Sequence, residues 1–274
     1  MAGEDIDPDA RIIDEIYEAL DRGAPERALA RARHTMESAV EDDPVIHFLA
    51  GLALLELERP AEARTELERA VELDPEDAEF RARLALASFR CCRFDEAERQ
   101  AQLAVEADAK LPESHWVQAL VLERRGRWED ADRGFARAAE LDPEGYPIPA
   151  RMDRESFERH LADAMDRLPE TFRKHLDRVA VTVEELPAEP ILLEEHPPLD
   201  PEQLLGLFVG VPHGEEGAFV SGQLPPRILL FKRNLERLVL DGDELEEEIA
   251  VTLYHELGHY LGLDEQELAD IDLT

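Results

Sequence analysis

Three residues late in the sequence could do chemistry together. His255, Glu256 and His259 read H-E-x-x-H. On a helix, residues four apart share one face, so both imidazoles can reach one point. Two neutral imidazoles plus a third ligand suit Zn2+, one per chain, and leave a position for water. Glu256, beside the first histidine, could then hold and deprotonate that water while the ion polarises a scissile carbonyl. Gly262 follows where the helix must stop, and glycine accepts the left-handed conformation that such a turn requires. The turn would bring Asp264 and Glu265 back toward the ion, and either carboxylate has suitable oxygens. The plainer alternatives are a buried polar helix face without metal, and a metal site without turnover.

These side chains need a frame. The spacing predicts a helix over 243–261, with acidic first turns that suit the positive helix N-terminus. Another is predicted over 156–169, with Phe157, Leu161, Met165 and Leu168 at helical spacing and Pro169 ending it. The segments 179–186, 204–211 and 227–233 read as strands, with loop over 187–202 and a Gly-rich turn over 213–222. The segment 227–233, RILLFKR, could offer an edge to which an extended peptide adds. His196 and His213 read as surface loop histidines. Tyr254 and Tyr260 flank the motif, where one could donate to an oxyanion, but their helical angles differ from those of the ligands.

The first half has a different grammar. Asp74-Pro75 and Asp142-Pro143 end similar phrases two 34-residue periods apart, and Asp108 marks the midpoint. Gly51, Ala85 and Ala119 fall in this register, as do Ala63, Ala97 and Ala131, and Ala70, Ala104 and Ala138. Leu67, Ala101 and Phe135 fill the slot between. Three repeats follow, about 44–77, 78–111 and 112–145, with a degenerate helix pair at 10–42 in front as a cap. Gly145, Pro147 and Pro149 break the last repeat helix. The expected domains are 1–149 and 150–274. Cys91 and Cys92, flanked by Arg90 and Arg93, read as small buried hydrophobes near the end of a first helix.

This period of paired helices resembles the tetratricopeptide repeat. The resemblance implies a concave groove lined by the first helix of each repeat, a docking surface for a protein or peptide. Its candidates are Phe48, Leu52, Leu86, Arg90, Trp116 and Arg124. Each of them alone also reads as packing or as solvated charge.

Residues 154–274 resemble a small bacterial zincin-like metallopeptidase family with H-E-x-x-H-x-x-G-x-x-D near its C-terminal end. The likeness extends through LPETFRKHLDRVAVTVEELP, LLGLFVGVP and LPPRILLFKRNLE. It implies that His255, His259 and the residue at the final Asp position hold the metal, with Glu256 as base. That position is Glu265 here, with Asp264 before it. Asp264-x-x-Glu267 also reads as a capping box for a last short helix, which would engage Asp264 and leave Glu265 as the ligand. The methionines are Met1, Met36, Met152 and Met165, so none follows the motif to make a metzincin Met-turn.

Composition narrows the classes. The chain has 274 residues, 65 acidic and 30 basic, for a net charge of −35. That field opposes phosphate backbones and anionic membrane surfaces, so neither nucleic acid nor membrane is expected as a partner. Adjacent cysteines do not form an ordinary structural disulfide, the first residues do not read as a secretory leader, and no apolar run spans a bilayer. The expected setting is cytoplasmic. The expected fold is an all-α tetratricopeptide solenoid followed by an α+β zincin-like minimal metallopeptidase domain. The expected function is zinc-dependent peptide-bond hydrolysis with a docking domain. The rival is a non-catalytic repeat scaffold with an inactive zincin-like domain.

Overall fold

The computed structural model describes residues 8–38, 42–213, 225–264 and 267–268. The chain divides into two compact units, Met1–Pro147 with His196–Pro198, and Ile148–Glu195 with Leu199–Thr274.

The first unit pairs its helices in sequence: α1 (Pro8–Asp21) with α2 (Pro25–Ser38), α3 (Pro44–Glu56) with α4 (Pro60–Leu73), α5 (Ala78–Arg90) with α6 (Phe94–Ala107), and α7 (Pro112–Arg124) with α8 (Trp128–Leu141). The last three pairs repeat at 34 residues at both ends of both helices. Proline opens several of these helices, where its fixed φ fits and its missing N–H costs nothing. Asp43 and Asp77 cap α3 and α5 by accepting from Val45 N–H and from Glu79 and Phe80 N–H.

Each pair turns on one residue in the left-handed region: Gly23 (φ 64°), Glu58 (φ 55°), Cys92 (φ 58°) and Gly126 (φ 70°). Two backbone bonds close each turn, for example Cys92 N–H to Phe89 C=O at 2.9 Å and Arg93 N–H to Ser88 C=O at 2.9 Å. Cys91 and Cys92 therefore sit in the turn and are half-exposed, not buried as small hydrophobes. The 34-residue column that Cys92 shares with Glu58 and Gly126 assigns it a backbone role.

Small residues set the helix spacing. Ala63, Ala97, Ala131, Ala70, Ala104 and Ala138 are fully buried. A Cβ on Gly51 would lie 2.5 Å from Leu67 Cγ, so α3 and α4 meet there with no room for a methyl group. Nine residues of α3 are buried against four of α4, as expected when first helices are covered by neighbours on both sides. Phe48 belongs to this core. It is 1% exposed, with its ring 4.8 Å from that of Phe80, so it packs adjoining repeats together and does not line a groove.

The second unit contains α9 (Arg154–Arg167), α10 (Glu170–Arg173), a 3-10 turn (Leu176–Arg178), β1 (Ala180–Glu184), α11 (Glu189–Leu192), β2 (Gly206–Val209), β3 (Arg227–Phe231), α12 (Lys232–Leu238) and α13 (Gly242–Tyr260). The sheet order is β1-β3-β2, with β1 parallel and β2 antiparallel to β3. The strand expected over 227–233 is thus the centre of the sheet, not an edge. Its run Ile228, Leu229, Leu230 and Phe231 is buried throughout, which suits a strand covered on both sides, and Lys232 and Arg233 already belong to α12. Among the described residues, the sheet edge beside α13 is that of β2. Of the Gly-rich turn, residues 214–222 lie outside the described residues, as does most of the last short helix.

Two polar knots hold the frame. Glu236, fully buried, bonds Lys232 at 2.6 Å, Arg151 at 3.1 Å and Met152 N–H at 3.1 Å, tying the start of the unit to α12. Asn234, also buried, donates to Pro201 C=O at 3.0 Å and Leu204 C=O at 2.6 Å, pinning the chain just before β2.

Candidate metal centre

Helix α13 begins at Asp241, whose carboxylate accepts from Asp243 N–H at 3.0 Å and Glu244 N–H at 3.1 Å. Leu245, Ile249, Leu253 and Leu257 follow at spacings of four and are fully buried. This stripe fixes the rotation of the helix, so His255 and His259 emerge half-buried on one side. Their Nε2 atoms lie 3.0 Å apart, with the rings nearly perpendicular. At that separation both nitrogens could hold one zinc ion.

Glu256 is buried, 7% exposed, and its Oε2 accepts from Phe208 N–H at 2.6 Å. A Cβ on Gly206 would lie 2.6 Å from Thr252 Cγ2 and 3.0 Å from Glu256 Cγ, so only glycine lets β2 approach α13 here. The helix ends in a left-handed turn at Gly262 (φ 82°), closed by Gly262 N–H to His259 C=O and Leu263 N–H to Gly258 C=O, both at 3.0 Å. Within the motif, a Cβ on Gly258 would lie 2.1 Å from Leu268 Cδ2, so this glycine admits the returning chain.

Beyond the turn, Asp264 Oδ1 accepts from Glu267 N–H at 2.9 Å, and Glu267 Oε2 accepts from Asp264 N–H at 3.0 Å. This reciprocal cap engages one oxygen of Asp264. Glu265 lies outside the described residues. Among the described residues no three His, Cys, Asp or Glu side chains converge on one point. The two imidazoles stand on one helix face as a pair of nitrogen donors, a set that fits a metal such as zinc.

A cleft of about 590 Å³ opens over this face. Leu204, Gly206, Leu207, Phe208, Gly210 and Pro212 form one wall; His255, Glu256, His259, Gly262, Leu263 and Asp264 form the other. The flanking tyrosines do not line it. Tyr254 packs on Phe172 at 4.2 Å, and burial raises its pKa. Tyr260 is 1% exposed and stacks on His213, whose N–H donates to Tyr260 C=O at 2.6 Å. His175 completes this cluster, 5.4 Å from the His213 ring, and its pKa is lowered by desolvation first and then by Lys174. His196 is exposed.

In the first unit, Leu52 and Leu86 are half-buried against the core. Trp116, also half-buried, lies between Phe135 at 4.7 Å and Tyr146 at 5.6 Å. The Arg124 guanidinium lies 4.8 Å above the Phe94 ring. Arg90 is half-exposed at the end of α5.

Residues 176–274 match the zincin-like metallopeptidase family, and residues 14–78 and 54–122 match tetratricopeptide repeat families. The chain carries tetratricopeptide repeats at its N-terminal end and a zincin-like metallopeptidase domain at its C-terminal end. No curated protein matches it. Among solved structures, it is similar to YrrB, described as a TPR protein with an unusual peptide-binding site. That match has 21% identity and a TM-score of 0.42, over 47% of this chain and 66% of that one. It is also similar to MamA MSR-1, at 24% identity and a TM-score of 0.41, over 51% of this chain and 82% of that one. A third likeness is to MamA AMB-1, at 25% identity and a TM-score of 0.42, over 48% and 77%. Among the described residues, no helix is long and apolar enough to cross a membrane.

Proposed function

We propose that the C-terminal unit is a zinc-dependent metallopeptidase and that the repeats dock a protein partner or the substrate. The observation that carries this reading is the meeting of the His255 and His259 Nε2 atoms at 3.0 Å, with Glu256 beside them, in a cleft walled by the β2 edge of the described sheet. His255 and His259 would hold one zinc ion, with Glu265 as third ligand and Asp264 as the alternative. Asp264 spends one oxygen on the Glu267 cap, which favours Glu265. Zinc bound there would supply Lewis acidity toward water and toward the scissile carbonyl.

The remaining work falls to the chain itself. An extended peptide would add to the edge of β2, where main-chain bonds align its carbonyl with the cleft. Glu256 would take a proton from the attacking water and return it to the leaving amine. The apolar side chains of Leu204, Leu207, Phe208, Pro212 and Leu263 would exclude bulk water from that transfer. Gly262 turns the ligand-bearing segment back toward the histidines.

In the repeats, the half-buried Leu52, Leu86, Arg90, Trp116 and Arg124 would supply the docking surface, without Phe48. The functional division is 1–149 and 150–274, and the setting is the cytoplasm. Glu256→Gln should keep its metal and lose cleavage by at least about 100-fold, the lower end of what a positioned proton-transfer group contributes. The test is hydrolysis of a peptide library by the zinc-loaded variant and wild type. Equal cleavage by both would overturn the mechanism. If neither cleaves, the scaffold reading takes its place.

A further inference from the structure

Glu256 does not simply face the cleft. Its carboxylate lies along the edge of β2. Phe231 N–H donates to Leu205 C=O at 2.8 Å, which continues the β2–β3 register in which Leu207 faces Leu229 and Val209 faces Arg227. In an antiparallel ladder, hydrogen-bonded pairs alternate with pairs whose backbone groups turn outward. Gly206 and Phe208 are the outward residues, so their N–H and C=O groups are the ones an added strand would bond. Glu256 already holds one of them, Phe208 N–H, at 2.6 Å. Its other oxygen, Oε1, lies 3.3 Å from where a Cβ on Gly206 would sit. The carboxylate thus stands where a peptide backbone would run, bonded to Phe208 N–H and beside the empty Cβ position of Gly206.

We propose that Glu256 and an incoming peptide compete for the Phe208 amide, so that docking of the peptide itself frees the carboxylate for proton transfer. This rests on the reading of the cleft as a peptide site. A hydrogen bond to a charged acceptor is about twice as strong as a neutral one, so a peptide carbonyl displaces it at a cost, and that cost appears as weakened binding. With no peptide docked, the base stays tied to the strand. A peptide long enough to form the neighbouring main-chain bonds offsets the loss; a short one does not. Gly206 belongs to the same device, since a Cβ there would crowd Thr252 Cγ2 at 2.6 Å and Glu256 Cγ at 3.0 Å, where α13 meets the strand.

The test is binding, read apart from turnover. A fluorescein-labelled heptapeptide of alternating Leu and Ala is titrated by anisotropy into the chelator-treated full chain, with thermal unfolding as the check on folding. Glu256→Ala should bind about three- to tenfold more tightly than wild type, the equivalent of one modest hydrogen bond. Phe208→Ala keeps the amide and should keep that difference. Phe208→Pro removes an N–H that the ladder does not use, which an edge strand tolerates, and in that background Glu256→Ala should change affinity less than about twofold. Hydrogen exchange at the Phe208 amide reads the same contact without the proline: slow in wild type, faster in Glu256→Ala, and slow again once peptide is bound. Equal affinity of wild type and Glu256→Ala, or an equal gain in the proline background, overturns the competition and leaves the peptide-site reading standing. Absence of binding in every variant overturns both.

Discussion

The two histidines and Glu256 are legible at the scale of residues because helical geometry is local. Once 243–261 is read as a helix, spacing alone puts the imidazoles together. The groups that complete the site are not legible in this way. The hydrogen bond on Glu256 comes from a backbone N–H, which any residue but proline possesses, so Phe208 carries no signal in its side chain. Gly206 and Gly258 matter for what they leave out, and the contacts that require this lie 46 and 10 residues away, at Thr252 and Leu268. His175 reads as an ordinary polar residue until Tyr260 and His213 are seen beside its ring, at 6.1 and 5.4 Å. Desolvation and the neighbouring Lys174 hold its pKa below the ordinary histidine value of about 6.5. The unfolded chain then takes up the proton first. The stability this group contributes is present above about pH 6.5 and is lost as pH falls through the lowered folded value. His175→Phe should flatten the fall in unfolding temperature between about pH 7 and pH 5. Identical profiles for variant and wild type would count against this account of the cluster.

Elements were readable where the pattern is periodic and less so where partners decide. The 34-residue register, with its buried alanine columns, announces the helix pairs because every repeat meets the same neighbours. The order of strands carries no such local mark. A continuous apolar run fits any well-covered position, and only pairing on both sides shows that β3 is central, with β1 and β2 at the edges of the described sheet. The turns between repeat helices show the cost of departing from glycine. Glu58 is exposed and holds φ 55°, where Gly126 and Gly23 stand in the equivalent turns. A left-handed residue with a Cβ costs roughly 1–2 kcal/mol, part of which glycine gives back as unfolded-state entropy. Glu58→Gly should therefore stabilise the repeats by about 0.5–1 kcal/mol, measured by chemical denaturation followed through Trp116 and Trp128. A loss of stability would show that the Glu58 side chain does more than its exposure implies.

For the whole molecule, charge and pattern speak to different questions. The net charge of −35 describes the field a partner meets and says little about fold. Many arginines are already engaged between repeats, as in Arg69 with Asp42, Arg125 with Glu98 and Arg83 with the buried Glu113. The change of grammar near residue 150 marks one kind of architecture giving way to another. Helix pairs bury their faces by stacking, whereas the second unit folds a small sheet against α13 and aims one polar face of that helix into a cleft. Whether this face binds a metal is read by a metal count. The full chain, purified without chelator or metal affinity resin, is assayed by elemental mass spectrometry beside His255→Ala. About one zinc per chain is expected in wild type and none in the variant. No zinc in wild type, even after incubation with it, would overturn the metal site and leave the repeats as the working part of the molecule.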